Sequence, residues 1–152
     1  MLSSQRALML ALRPLHIQEE HLLSVEVNES LAQFLAEPIA AVVGTTRKNG
    51  TAQLVPVWYE YRHGLIWLNS WRGSDWARHI EQQGSATLLI LDPNNMYRYA
   101  EIQARLLEST DEGGREHIDA LSYRYSGRPY QFESDRQRFI LKLEPTRIKA
   151  RV

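Results

Sequence analysis

Along the chain the spacing of apolar residues changes twice, and each change marks a different kind of element. Leu8, Leu12 and Leu15 recur at helical spacing, interrupted by Pro14 and followed by a mixed polar stretch, which predicts a loosely attached N-terminal extension, helical in part, over residues 1–27. Asn28 to Ala36 predicts a second short helix: Ser30 is placed to cap it, Leu31, Phe34 and Leu35 share one face, and Glu37-Pro38 ends it. From Ile39 the period shortens. IAAVVGTT is rich in β-formers, RKNG is a turn whose Asn-Gly accepts positive φ, TAQLVPVWYEY is one extended segment, and LIWLNS follows after Arg62-His63-Gly64. Residues 39–70 therefore predict an antiparallel meander. Pro56, which cannot donate to a ladder, marks an edge or a bulge in its second strand.

The second half alternates helices with strands of different exposure. SDWARHIEQQ predicts a short helix with Ser74 at its N-cap, and ATLLILD predicts a strand buried on both faces. YAEIQARLLES alternates cleanly, with Ala100, Ile102, Ala104 and Leu106 on one side and Glu101, Gln103 and Arg105 on the other. A helix over about 112–125, carrying Ile118, Leu121 and Tyr125 on a stripe, precedes the turn-rich SGRPYQFES and a closing FILKLEPTRIKA strand. No βαβ alternation is present. The pattern predicts a mainly β (α+β) domain of five or six antiparallel strands in a small Greek-key barrel with short flanking helices.

Composition bounds what such a domain can do. At 152 residues and 43% hydrophobic content the chain suits one compact domain, here residues 28–152 behind the extension. Eighteen basic and eighteen acidic residues cancel, so no overall field draws in nucleic acid or an anionic membrane, and any anion site has to be local. Arginine supplies most of the positive charge, which is either a preference for the bidentate fork or a reflection of base composition. Cysteine is absent, which excludes disulfides and thiolate chemistry. The five histidines form no metal-ligand spacing, and no Ser-His-Asp arrangement is readable. With no apolar run near a membrane span and no signal-peptide core, the expected compartment is the cytoplasm.

WLNSWRGSDWARHI concentrates the candidate chemistry. A helix start offers unpaired amide N–H groups and the positive end of the helix dipole, so Arg72 just before it and Arg78 one turn inside it can converge on one anion, with Ser70 and Ser74 adding hydroxyl donors. The plain alternative is a solvated helix start with Arg78 paired to Asp75 or Glu81. Trp71 and Trp76 beside a polar turn point to a groove or an interface.

Taken in order, TTRKNGTAQLVPVW, LIWLNSWRGSDWARHI, ATLLILDPNNMYRYAEIQARL and LSYRYSGRPY resemble the split β-barrel family of flavin- and deazaflavin-dependent oxidoreductases related to pyridoxamine 5′-phosphate oxidase, in its deazaflavin branch. The resemblance implies a six-stranded antiparallel split barrel that forms a homodimer, with FMN or the deazaflavin coenzyme F-420 in grooves between the subunits. It further implies that the cofactor ring lies against Leu54, Val55, Pro56, Val57 and Trp58. The phosphate is implied at Asn69, Ser70, Trp71, Arg72, Ser74, Trp76 and Arg78, while Tyr97 and Tyr99 face the partner's cofactor. One departure stands out: the family branch carries a basic residue where this chain has Trp76. The implied activity is hydride transfer to a small organic acceptor, with no dedicated catalytic residue expected because the ring carries the chemistry, and with Tyr59, Tyr97 or Tyr125 the candidate donor where a proton is needed. The alternative is a non-catalytic protein on the same scaffold that holds another planar ligand, such as FAD, haem or a tetrapyrrole.

Overall fold

The computed structural model describes residues 25–131 and 136–152, so the predicted N-terminal helix lies almost wholly outside the described residues. Helix α1 spans Glu29–Ala36 and buries Leu31, Phe34 and Leu35, as its spacing predicts. Its cap is Asn28 rather than Ser30, because the Asn28 side chain accepts the Leu31 N–H at 2.9 Å. Strands β1 (Ala41–Thr46), β2 (Ala52–Val57), β3 (Tyr59–Arg62) and β4 (Leu65–Trp71) follow, then α2 (Asp75–Gln83), β5 (Ser85–Leu91), β6 (Tyr99–Thr110), α3 (Gly114–Ser126) and β7 (Arg138–Arg151).

All seven strands form one antiparallel sheet in the order β2-β1-β5-β6-β7-β4-β3. The fold class is the expected split barrel, and the order β4-β7-β6-β5 is a Greek key. The strand count is seven rather than six because the segment predicted as one second strand divides at Trp58. That division governs the shape. β2 and β3 are opposite edges of the sheet, yet only Trp58 separates them in sequence. Laid flat, seven strands would hold their edges about 29 Å apart at about 4.8 Å per spacing, whereas residues two apart along a chain reach about 7 Å. The sheet must therefore curl until its edges meet at Trp58. Pro56 sits on edge strand β2, where a missing donor costs no ladder bond across the sheet.

The curl encloses the core. Val43, Leu68, Leu88, Ile102, Leu141 and Leu143 point inward from the strands and are closed over by Phe34 and Leu35 of α1 and by Ala77 and Ile80 of α2. ATLLILD does not behave as a doubly buried strand: β5 alternates, with Leu89 and Leu91 37% and 39% exposed, because no helix covers that outer face.

Helix α3 holds the seam shut. The Tyr125 hydroxyl accepts the Tyr59 N–H at 3.3 Å and lies 3.1 Å from both Ile39 O and Tyr59 O, donating to one of them. Its ring stacks on Trp58 at 5.4 Å with planes 4° apart. The neighbouring Arg124 guanidinium donates to Leu35 O, Ala36 O and Glu37 O, satisfying the carbonyls that the end of α1 leaves unpaired. At its other end α3 lies so close to β7 that a Cβ on Gly114 would come within 2.3 Å of Arg138 O. Removing the seam hydroxyl strands partly buried backbone groups. Tyr125→Phe is therefore expected to lower stability by about 1–3 kcal/mol, read as a lower urea midpoint at unchanged slope, whereas Tyr123→Phe on the exposed side of α3 stays within about 0.5 kcal/mol.

Candidate functional site

The start of α2 is built by a strand that runs out of ladder. After Trp71, Gly73 takes φ +109° and turns the chain, with the Trp71 ring lying directly over it. A side chain at Gly73 would strike that ring, since its Cβ would come within 2.6 Å of Trp71 Cζ3. Ser74 occupies the N-cap position but makes no side-chain cap bond, and the first helical bond runs from Arg78 N–H to Ser74 O at 3.1 Å. The amides ahead of Arg78 therefore lie before the intrahelical ladder.

The two arginines differ in their commitments. Arg78 pairs with Asp75 at 2.6 Å in an exposed i,i+3 contact, the plain alternative its sequence spacing allowed. Arg72 donates to Glu81 and to Asp111, both at 2.9 Å, and lies 3.8 Å over the Phe139 ring. Those bonds tie α2 to the end of β6. An exposed ion pair is worth under about 1 kcal/mol, so Arg78 can exchange Asp75 for a better anion at little cost. Arg72 carries two carboxylates and is the less available of the two. The donor set fits an oxyanion: lone amides, the Arg78 fork and the positive end of a nine-residue helix.

Trp76 is half-buried and packs against the barrel core, so the position where the resemblance expects a basic residue is occupied by a core-facing ring. Trp71 is sandwiched between Gly73 and the Arg136 guanidinium, 4.2 Å from its centroid. Asn69 and Ser70 are buried rather than presented to the helix start. Asn69 Nδ2 donates to Gly114 O at 2.8 Å and lies 3.3 Å from His117 Nδ1, which places it under α3.

The predicted ring strand divides by parity. Val55 and Val57 pack against the core, while Leu54, 68% exposed, and Pro56 face outward. Register places Val42 between Pro56 and Leu89, and Leu91 opposite Tyr99, so these residues form one apolar outer surface across β2, β1, β5 and β6. Tyr97, 65% exposed, sits in the β5–β6 connection. Trp58 is the exception, drawn onto Tyr125 at the seam. Tyr59 is fully buried, its hydroxyl donating to Leu35 O at 3.0 Å, and burial raises the phenols of both Tyr59 and Tyr125 above their ordinary range. Both keep their protons and their structural bonds.

Sequence reasoning assigned nothing to His117. It is 6% exposed, with Nε2 3.3 Å from Glu60 Oε2. The one available signal was its position between Gly114 and Leu121 on the inner stripe of α3. His117, then the Arg62 and Arg124 charges, hold the Glu60 carboxyl below its usual range. A depressed carboxylate adds stability above its unfolded value, about pH 4.3, and loses it as pH falls through the folded value. Glu60→Gln should therefore melt below the parent protein by a constant margin above about pH 5, a margin that closes on acidification below pH 4; a gap independent of pH removes the pairing. Solvent screening at this half-buried group keeps the margin to roughly 1 kcal/mol.

Among the described residues no helix is long and apolar enough to cross a membrane, and no three His, Asp or Glu side chains gather as a metal site. The family described as Pyridoxamine 5'-phosphate oxidase matches residues 27–151. No curated protein matches the chain. Among solved structures it is similar to an F420 reductase, with a TM-score of 0.73 and 22% identity over 81% of this chain and 98% of that one. A conserved hypothetical protein from Mycobacterium tuberculosis gives 0.63 and 20%, covering 82% and 84% of the two chains. A candidate pyridoxamine 5′-phosphate oxidase from Listeria innocua gives 0.64 and 12%, covering 82% and 98%. At these identities the likeness to the solved structures establishes the fold.

Proposed function

The chain belongs to the pyridoxamine 5′-phosphate oxidase family, and from that premise we propose that it is an oxidoreductase that binds FMN or the deazaflavin coenzyme F-420 and passes hydride to a small organic acceptor. The observation that carries this reading is the α2 start, where unladdered amides and the exchangeable Arg78 offer an oxyanion site. The similarity to an F420 reductase supports the deazaflavin arm.

In this reading a second copy covers the outer apolar surface around Leu54, Pro56, Leu89 and Leu91, and the groove between the two copies takes the ring. When bound, the flavin-type ring supplies the hydride chemistry. The protein's part is to hold and exclude. Arg78 and the α2 amides fix the phosphate, Leu54 and Pro56 give the ring an apolar wall, and Tyr97 and Tyr99 close the groove against water. Tyr59 and Tyr125 carry no proton in the reaction, since their hydroxyls are bound within the fold. A cytoplasmic setting accords with the absence of cysteine.

One observation favours a second reading, a non-catalytic binder of FAD, haem or a tetrapyrrole. Trp76 is turned toward the core and Arg72 is held by two carboxylates, which leaves Arg78 the readiest cation for a phosphate. Titrations of the purified protein with FMN, F-420 and haem, followed by tryptophan fluorescence, separate the two. Binding of FMN or F-420 in the micromolar range is expected; failure of both at tens of micromolar, with haem bound, selects the second reading. Arg78→Ala is expected to weaken FMN or F-420 about tenfold or more relative to the dephosphorylated analogue, the worth of a charged hydrogen bond, and Arg72→Ala less. Light scattering should return a solution mass near twice the 17.6 kDa chain, and a monomer would exclude the shared groove.

A further inference from the structure

The corner of the fold around the start of α2 holds more carboxylates than guanidinium groups. Arg72 is shared between Glu81 and Asp111, each at 2.9 Å, and Arg78 has Asp75 at 2.6 Å. Two cations therefore meet three acids, and these side chains leave one net negative charge. Trp76, on the first turn of the same helix, brings no charge and packs against the core. His79 is engaged through Nδ1, 3.0 Å from Thr45 Oγ1 on β1. Arg136 stands behind the indole of Trp71, whose other face covers Gly73.

Asp75 has an ordinary structural use: an acid in the first turn suits the helix dipole, and the i,i+3 contact ties it to Arg78. Its position adds a second effect. The Asp75 and Arg78 side chains are 62% and 60% exposed, so Arg78 shares or exchanges its acid readily. Asp75 itself cannot leave, because it is the first residue of α2, and its charge stays beside any anion that Arg78 accepts. The helix end offers only about half a positive charge in compensation. A phosphodiester brings one negative charge to this corner. A phosphomonoester brings about 1.5 to 2 near neutral pH, its second proton leaving at about pH 6.

We propose that Asp75 sets the charge of the ligand accepted at the start of α2, favouring a singly charged phosphodiester over a doubly charged phosphomonoester. This selectivity rests on the proposed function, which puts the cofactor phosphate at that helix start, and it discriminates between the two cofactors named there: F-420 carries its phosphate as a diester and FMN as a monoester. Asp75 acts by repelling the wrong ligand rather than by holding the right one.

The test compares three ligands that share one ring, riboflavin or its deazaflavin counterpart: the free alcohol, its terminal phosphate, and the monomethyl ester of that phosphate. Binding to the full-length protein is followed by tryptophan fluorescence at low ionic strength, where surface charges are least screened. At about pH 7.5 the methyl ester is expected to bind about fivefold more tightly than the phosphate, the ratio that one extra like-charge contact at about 4 Å produces in water. The ratio should approach one at about pH 5, where the monoester has regained its second proton. Protein groups that titrate in that range act on both ligands. Asp75→Asn should close the gap at the higher pH by raising the affinity of the phosphate, a gain that a misfolded variant cannot mimic. Glu116→Gln, an exposed acid on α3, should leave the ratio unchanged. A phosphate that outbinds the alcohol but matches its own methyl ester, or a gap that Asp75→Asn leaves intact, overturns the role of Asp75 alone. A free alcohol that binds as tightly as both phosphate forms overturns it together with the placement of the phosphate at α2.

Discussion

The junction at Trp58 is the constraint on which the rest depends. One residue has to join the two outermost strands of a seven-stranded sheet, and no flat arrangement permits it. The chain bends there, and the bend exposes backbone groups that a continuous strand would have paired. Tyr125 answers with a single hydroxyl shared among Tyr59 N, Tyr59 O and Ile39 O, and with a ring laid flat on Trp58. A phenol suits the position because it both accepts and donates while presenting a planar apolar face. Arg124, one residue earlier, does the same for the end of α1.

Closing the sheet at the seam decides which surfaces remain outside. The interior takes one face of every strand, and α1 and α2 plug its ends, so the opposite face of β2, β1 and β5 is left with Leu54, Leu89 and Leu91 in solvent. An apolar face of that kind on an edge of the sheet is an unfinished surface, and a second copy of the chain is the partner that the proposed function assigns to it. The α2 start differs in kind. Its Arg78 is exposed and weakly committed, as an anion site requires, whereas Arg72 is occupied in holding α2 to the end of β6.

Helix α3 carries a second division of labour. Its C-terminal end fastens the seam, and its N-terminal end presses Gly114 onto β7 and buries His117 over Asn69. Between these ends a groove of about 550 Å³ opens toward β3, β4 and β7.

The order of strands and helices, the inward face of β6, the inner stripe of α3 and the edge position of Pro56 were all legible in the chain, because period and proline chemistry are local properties. The family was legible too, from segments whose order spans most of the domain. Other features depended on what lies across the fold. β5 reads as doubly buried until the absence of a covering helix leaves Leu89 and Leu91 outside. TAQLVPVWYEY reads as one strand until barrel closure breaks it at Trp58. Asn69 reads as part of the phosphate turn until α3 claims it, and His117 acquires a role only when Asn69 and Glu60 arrive from β4 and β3. Sequence alone thus determined most of the elements and which helix start carries the arginines. Only the tertiary structure decided which polar groups find partners and which faces stay uncovered, because both depend on chain segments brought together by the closing of the sheet.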